Sequence, residues 1–238
     1  PKYQQKAGWM GQDNPEYATM IENLDRNIGL LVASLNEKGA FDNTLIIFTS
    51  DNGGHYGITK QRPLRSGKGS YYEGGIREPF FFVMKDKIAL NTESDVPITS
   101  LDIFPTILHY TGINDSSLQL DGDDLSSILE GRTEALERSL YWHFPIYLEA
   151  YETKNENRDS IFRTRPGAVV RSGDWKLHYY FEDGGIELYN LSKDIGERNN
   201  LADIATDVRA ELLRDLKQWW ADTKAPIPTQ LNPEYQQP

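Results

Sequence analysis

The chain contains no cysteine among its 238 residues. This absence excludes disulfide bonds, thiolate metal sites and a cysteine nucleophile within these residues. Long apolar runs are also missing, since no stretch approaches the roughly 18 residues that a membrane-spanning helix needs. Positive charge is scarce: 25 Lys and Arg stand against 36 Asp and Glu, and the net charge of -11 argues against nucleic acid as a partner.

What is present indicates a folded globular protein, with 38% hydrophobic and 26% charged residues. Asn14-Pro15 is typical of a helix start, and apolar residues then recur every three or four positions until Lys38-Gly39. Residues 44–49 and 80–84 are short apolar runs, expected to be strands buried on both faces, as in a parallel sheet covered by helices. A helix over 100–110 with Ile103, Phe104, Ile107 and Leu108 inward, and a short helix over 125–130, complete an α/β pattern.

The pattern changes after Ser139 to one typical of an antiparallel meander. Its predicted strands are 140–144, 168–171, 175–181 and 186–191, with turns at Ser172-Gly173-Asp174 and Asp183-Gly184-Gly185. A final helix carries a stripe that we expect to cover the apolar face of the meander: Val208, Leu212, Leu213, Leu216 and Trp219 or Trp220. The polar stretch 149–163 is predicted to be a long loop. We therefore divide the chain into an α/β part, residues 1–135, and a small α+β subdomain, residues 136–238.

Asp51 and Asn52 directly follow the first predicted strand. In an open α/β sheet, ligands bind beyond the carboxyl ends of the strands, so this is a suitable place for a site. A carboxylate beside a carboxamide offers only oxygen ligands, which favours Ca²⁺ or Mg²⁺ over a soft metal. The alternative is that Asp51-Asn52-Gly53-Gly54 is merely a turn, because these are common turn residues.

Lys68 lies between two glycines in a basic stretch of this acidic chain, residues 60–77, where Glu73 is the single acid. Such a local excess of positive charge indicates a specific anion site. A lysine supplies a compact charge suited to sulfate or phosphate oxygens, although a solvated loop lysine is the ordinary alternative. Arg65 is a further candidate for substrate binding.

Two histidines are candidates for contact with a substrate. His55 lies four residues after Asp51 in a glycine-rich loop, from which it could face a bound ester, donate a proton to a leaving group or ligate a metal. A surface histidine is the alternative. His143 is a candidate for substrate contact from the second part of the chain, whereas His109 and His178 are interpreted as structural.

Several motifs then follow one another in a fixed order along almost the whole chain. They are Tyr-x-x-x-Ile-x-x-Leu-Asp-x-x-Ile-Gly at 17–29, Thr-Ser-Asp-Asn-Gly at 49–53, Gly-Lys-Gly-Ser-x-Tyr-Glu-Gly-Gly-Ile-Arg at 67–77, Ser-Leu-Asp-Ile-Phe-Pro-Thr at 100–106, Arg-Ser-Gly-Asp-Trp-Lys-Leu at 171–177, and Glu-Leu-Tyr-Asn-Leu at 187–191. In this order they resemble the C-terminal portion of the type I, formylglycine-dependent sulfatases, which are arylsulfatase-like members of the alkaline phosphatase superfamily.

The resemblance implies an alkaline-phosphatase-like α/β fold and hydrolysis of sulfuric esters of carbohydrates or aryl groups. Asp51 and Asn52 match two calcium ligands of the family, with Ca²⁺ preferred over Mg²⁺, and Lys68 matches its sulfate-binding lysine. The family's Cys/Ser-x-Pro-x-Arg segment, whose first residue becomes formylglycine, does not occur between Pro1 and Pro238. We therefore expect a missing N-terminal sulfatase segment that carries the formylglycine, and no turnover by this chain alone.

Two other functions remain open at this point. One is a phosphoryl hydrolase of the same superfamily that holds zinc or manganese on Asp51, Asn52 and His55. The other is a non-catalytic remnant that binds sulfated glycans. The sequence does not fix a compartment, and a periplasmic, secreted or lysosomal location follows from the family alone.

Overall fold

A computed structural model describes residues 2–149, 156–158, 162–230 and 232–233. The helices are α1 (Pro15–Glu37), α2 (Glu73–Ile76), α3 (Ile103–Thr111), α4 (Ser126–Leu129) and α5 (Thr206–Thr223), with 3-10 turns at Phe41–Asn43 and Ser100–Asp102. The strands are β1 (Ile46–Thr49), β2 (Phe80–Val83), β3 (Ser139–Phe144), β4 (Leu148–Glu149), β5 (Phe162–Thr164), β6 (Gly167–Ser172), β7 (Trp175–Tyr180) and β8 (Ile186–Asn190). These elements confirm the prediction of an α/β chain with an antiparallel sheet and a C-terminal helix.

The chain forms two compact units. The first unit comprises Pro1–Ala18, Asp51–Glu78 and Arg138–Pro238, and the second comprises Thr19–Ser50 and Pro79–Glu137. Each unit is thus built from separate stretches of sequence. The division at 135/136 stays a prediction.

In the second unit the strand pair differs from the expectation of a parallel, fully buried sheet. β1 and β2 are antiparallel, with Ile46 opposite Val83 and Thr49 opposite Phe80. β1 is half-buried throughout, and β2 alternates between half-buried and exposed positions. A continuous apolar run does not by itself distinguish a parallel from an antiparallel partner, because either sheet can accept the same side chains.

Helix α3 ends where predicted, but residues 100–102 of the predicted helix form a 3-10 turn and its buried face is different. Gly112, in the left-handed conformation with φ 71°, ends the helix. Phe104 and Ile107 are exposed rather than inward, whereas Pro105 and Thr106 are buried. The Thr106 hydroxyl accepts a hydrogen bond from the Leu125 backbone N–H at 3.0 Å, so the chain that leads into α4 packs on this face.

The predicted meander is the central sheet of the first unit. Its strand order is β3-β6-β7-β8, and every neighbouring pair is antiparallel. Helix α5 covers one face, where the buried core side chains include Val170, Leu177, Leu188, Leu212 and Leu216. This confirms the predicted role of the C-terminal helix.

The opposite face of the same sheet is buried as well. Tyr71 packs with Val169 and Tyr180, and Tyr72 packs with Tyr189 and Leu191. The segment that follows Lys68 in the sequence therefore lies directly on the sheet. Alternation along β7 places Lys176 and His178 on this face, and both are fully buried.

The predicted long loop over 149–163 lies partly outside the described residues. Its two ends are strands, since β4 pairs with β5 in an antiparallel ladder that joins Leu148 to Thr164. Among the described residues, no helix combines the length and the apolar character that a membrane crossing needs.

Candidate active site

Two neighbouring segments of the first unit, 51–59 and 65–76, carry five of the predicted site residues. The Lys68 backbone N–H donates to the Gly54 carbonyl at 3.0 Å, and the Gly53 N–H donates to the Gly75 carbonyl at 3.0 Å. These two main-chain bonds hold the segments side by side. Asp51, Asn52, His55 and Lys68 therefore belong to one local region, although up to seventeen positions separate them in the sequence.

The close approach of the two segments requires glycine at two positions. A Cβ atom added at Gly53 would lie 1.9 Å from the Gly74 carbonyl oxygen, and one added at Gly67 would lie 2.5 Å from the Gly54 carbonyl oxygen. Neither backbone could remain in place with a side chain there. The glycines beside Asp51-Asn52 and Lys68 thus serve the packing of one segment on the other.

Asp51, His55 and Lys68 are exposed, and Asn52 is half-buried. The Nδ1 atom of His55 accepts a hydrogen bond from the Gly57 backbone N–H at 3.2 Å. Because Nδ1 is the acceptor, a neutral His55 ring carries its proton on Nε2. That N–H group is the one with which His55 could donate a hydrogen bond to a leaving group.

A second carboxyl group, that of Glu78, lies near Asp51. Burial and, to a smaller extent, the negative charge of Asp51 together raise the pKa of Glu78 to about 7. Asp51 and Asn52 together supply two oxygen donors, the type that Ca²⁺ prefers, out of the six to eight or so that a calcium site uses. Within the described ranges, no group of three or more His, Cys, Asp or Glu side chains is arranged to hold a metal ion. The donors present fit part of a calcium site.

The Arg65 guanidinium is engaged with protein groups. Its Nε donates to the Glu156 carbonyl at 2.8 Å, and its Nη1 donates to the Glu197 carbonyl at 2.9 Å and to the Tyr189 hydroxyl at 3.2 Å. The guanidinium also lies 3.9 Å from the centre of the Tyr72 ring. A contact between Arg65 and substrate stays a prediction.

His143 lies on β3 and packs against α5. Its Nε2 is 2.9 Å from the Pro226 carbonyl oxygen, and its ring makes edge contacts with Phe181 and Trp219. No contact described here joins it to Lys68 or to Asp51. Its role in substrate binding likewise stays a prediction.

Some residues near the site carry no signal that the sequence analysis used. Glu78 is one, and Arg163 is another, since its Nη1 donates to the Lys68 carbonyl at 3.4 Å. Four buried ionisable residues are a third case, because the sequence analysis did not predict that they meet: Glu73, Lys176, His178 and Glu197. The sequence did offer one signal for this cluster, the position of Lys176 within the largely aromatic strand β7. A lysine there either faces solvent or needs a buried partner of opposite charge.

Comparison with known proteins identifies the family. A sulfatase family model matches residues 2–113, and a model of the C-terminal region of N-sulphoglucosamine sulphohydrolase matches residues 67–224. The chain belongs to the sulfatase family. A sulfatase of Formosa agariphila is 32% identical over 235 residues, which cover 89% of this chain and 40% of that protein. The sulfatase chain spans less than half the length of the curated relatives that it matches.

Two solved structures share the fold of this sulfatase chain. One is Ps i-CgsB in complex with k-i-k-neocarrahexaose, with a TM-score of 0.74, 25% identity, and coverage of 95% of this chain and 46% of that one. The other was solved with its substrate D-glucosamine-2-N,6-O-disulfate, with a TM-score of 0.70, 25% identity, and coverage of 91% and 42%. The predicted sulfatase-like fold is confirmed.

Proposed function

We propose that this chain is the C-terminal part of a sulfuric ester hydrolase that acts on sulfated carbohydrates or aryl sulfates. The observation that supports this most directly is the Lys68–Gly54 main-chain bond, which joins the segment that carries Lys68 to the segment that carries Asp51 and Asn52. The structural relative with a disulfated glucosamine substrate favours sulfated carbohydrate. The activity itself belongs to the whole protein, of which this chain supplies one part.

In the proposed site Lys68 binds the sulfate. Its ammonium group offsets the negative charge that grows on the sulfate and on the leaving oxygen during S–O cleavage. His55, with its proton on Nε2, would donate a hydrogen bond to the leaving oxygen and stabilise the negative charge that develops there. The nucleophile is the formylglycine that we expect in the N-terminal segment of the whole protein.

Asp51 and Asn52 would hold Ca²⁺ through a carboxylate and a carboxamide oxygen. The ion, when bound, supplies positive charge to the sulfate oxygens. Two ligands are few for a tight calcium site, so we expect the remaining ligands from the N-terminal segment. Because we expect that segment to carry the formylglycine nucleophile as well, we propose that the isolated chain is inactive.

A phosphoryl hydrolase is less well supported, because zinc or manganese would need additional histidine ligands. His109 lies 2.9 Å from the Asp124 carboxylate, His178 lies 3.1 Å from the Glu197 carboxylate, and His143 contacts the Pro226 carbonyl. Each of the three histidines other than His55 is thus already engaged with a protein group.

The test is an assay of the whole protein, or of this chain combined with its N-terminal segment, on matched esters. Nitrophenyl sulfate, nitrophenyl phosphate and a sulfated glucosamine separate the alternatives. Release of sulfate supports the proposal, and preferential release of phosphate identifies a phosphoryl hydrolase. Saturable binding of the sulfated sugar without any release would instead identify a glycan-binding module.

A further inference from the structure

A cluster of buried charges lies beneath the segment that carries Lys68. The Lys176 ammonium is 2.9 Å from the Glu73 carboxylate and 2.9 Å from the Glu197 carboxylate, and His178 Nε2 is 3.1 Å from Glu197. All four side chains are at most 2% exposed. A buried charge destabilises a fold unless it is paired, so the cluster holds together only as a unit.

Glu197 contacts both sides of the Lys68 segment. Its carboxylate Oε2 accepts a hydrogen bond from the Glu73 backbone N–H at 2.6 Å, and its backbone carbonyl accepts one from the Arg65 guanidinium at 2.9 Å. Arg65 and Glu73 flank the stretch that contains Lys68. The Gly74 N–H also donates to the Arg65 carbonyl at 2.9 Å, which closes the stretch into a loop.

The backbone of Glu197 is in the left-handed region, with φ 52°. Glutamate rarely adopts this conformation, because its Cβ crowds the backbone there. Such residues persist where the surroundings hold them in place, and they concentrate at functional sites. Here the left-handed turn allows the side chain and the carbonyl of one residue to reach two points on the same loop.

The carboxylate of Glu197 is kept ionised. Burial alone would raise its pKa, but Lys176, His178 and the Glu73 backbone N–H outweigh burial and lower the pKa below its ordinary value of 4.5. A charged acceptor forms a stronger hydrogen bond to an N–H group than a neutral acceptor does. The bond from Glu73 therefore persists at neutral pH.

We propose that Glu197 is the positioning residue for Lys68: its carboxylate and its carbonyl clamp the two ends of the 65–73 loop and hold Lys68 against the Gly54 carbonyl. The value of this clamp for sulfate binding depends on the function proposed for Lys68, whereas the clamp itself does not. The side-chain contacts of Glu197 are with the Glu73 N–H, Lys176 and His178. Glu197 acts through the loop.

The test uses amide hydrogen exchange on the full chain with two variants and a control. Glu197→Gly keeps the left-handed backbone and removes the carboxylate, and Glu197→Gln restores a neutral acceptor. Asp194→Asn is the matched control, because Asp194 accepts from the Arg198 and Asn199 N–H groups in the same turn but does not contact the loop. Binding of inorganic sulfate is followed in parallel through the Lys68 and Gly69 amide resonances.

We expect exchange at residues 67–74 to be about tenfold faster or more in Glu197→Gly, partly restored in Glu197→Gln, and unchanged in Asp194→Asn. Affinity for inorganic sulfate should fall most in Glu197→Gly, less in Glu197→Gln and not at all in Asp194→Asn. If Glu197→Gly does not fold, Arg65→Lys removes the fork at the other end of the clamp and should raise exchange at Gly74. Unchanged exchange at 67–74, or an equal rise throughout β6, β7 and β8, would overturn the proposal. A third outcome is faster exchange at 67–74 in Glu197→Gly while neither the unmodified chain nor any variant binds sulfate at Lys68. This outcome supports the clamp and contradicts the function proposed for Lys68.

Discussion

The backbone N–H of Lys68 donates to the carbonyl oxygen of Gly54 at 3.0 Å. This bond joins the two motifs through main-chain atoms, so it does not depend on the side chains of Lys68, Asp51 or His55. Since these three side chains are exposed, replacing them should leave the fold intact. Their variants therefore report on binding and chemistry rather than on stability.

Replacement of Lys68 by alanine should lower the rate of sulfate ester hydrolysis by a hundredfold or more. The reason is that one positioned charge on a developing oxyanion contributes about 3 kcal/mol to transition-state stabilisation. The measurement is kcat and kcat/KM of the whole protein with a sulfate ester. The control is Lys193→Ala, which removes an exposed lysine from a turn after β8. Turnover close to that of the control would refute the assignment of Lys68.

Replacement of Asp51 by alanine should abolish calcium occupancy. Asp51 is the charged member of the proposed ligand pair, and a site that loses a carboxylate loses much of its attraction for a hard dication. The measurement is metal content of the whole protein after equilibration with Ca²⁺, with Asp42→Asn as a control at a carboxylate that pairs with Lys85. A fully occupied site in Asp51→Ala would show that other residues are the ligands.

The sequence alone predicted those helices and strands that depend on residues close together in the chain. Helix α1 follows from Asn14, whose side chain accepts the Tyr17 N–H at 2.8 Å, and from the regular spacing of apolar residues behind it. The meander follows from alternation and from the turn at Gly173, where φ is 54°. Pairing between segments distant in sequence was harder to predict. No signal within either strand shows that β1 pairs antiparallel with β2.

The residues of the candidate site also divide into those that the sequence predicts and those that meet only in the folded chain. Asp51, Asn52 and Lys68 could be predicted as site residues from the sequence because each belongs to a contiguous motif. The partners of Glu197 could not, since Lys176 and Glu73 are 103 residues apart and meet only through the packing of the loop on the sheet. Alternation along β7 puts Lys176 on the face opposite Leu177, but it does not show that this face is buried. Similarly, the proximity of Glu78 to Asp51 is a property of the folded segment 51–78.

Acid should remove a contribution of Glu197 to stability. The pKa of Glu197 is lowered in the folded chain to about 2, against 4.5 ordinarily, because Lys176 and His178 outweigh the opposing effect of burial. For a carboxyl group with a depressed pKa, the stabilisation is fully present above the unfolded value of 4.5 or so and is lost as the pH falls toward about 2. At about 1.4 kcal/mol per pKa unit, Glu197 contributes on the order of 3 kcal/mol to the free energy of unfolding.

The free energy of unfolding of Glu197→Gln should therefore decrease less on acidification than that of the unmodified chain. The measurement is the free energy of unfolding by urea between about pH 6 and about pH 3, where linkage to proton binding changes its slope. Glu211→Gln, at an exposed position of α5, is the control and should follow the unmodified chain. Parallel curves for Glu197→Gln and the unmodified chain would contradict the assignment of a low pKa to this carboxyl group.

Helix α5 should contribute strongly to the stability of the first unit through Leu216. This side chain is 0% exposed and lies in the core that the helix forms with β6, β7 and β8, beside the stacked rings of Tyr141 and Trp219 at 5.0 Å. Leu216→Ala should lower the free energy of unfolding by about 2–5 kcal/mol, because it removes buried methyl groups and leaves a cavity. Urea unfolding followed by tryptophan fluorescence measures the change. Ile204→Ala, at a side chain 78% exposed, should change it by less than about 0.5 kcal/mol. Equal effects of the two variants would mean that α5 does not pack on the sheet in this way.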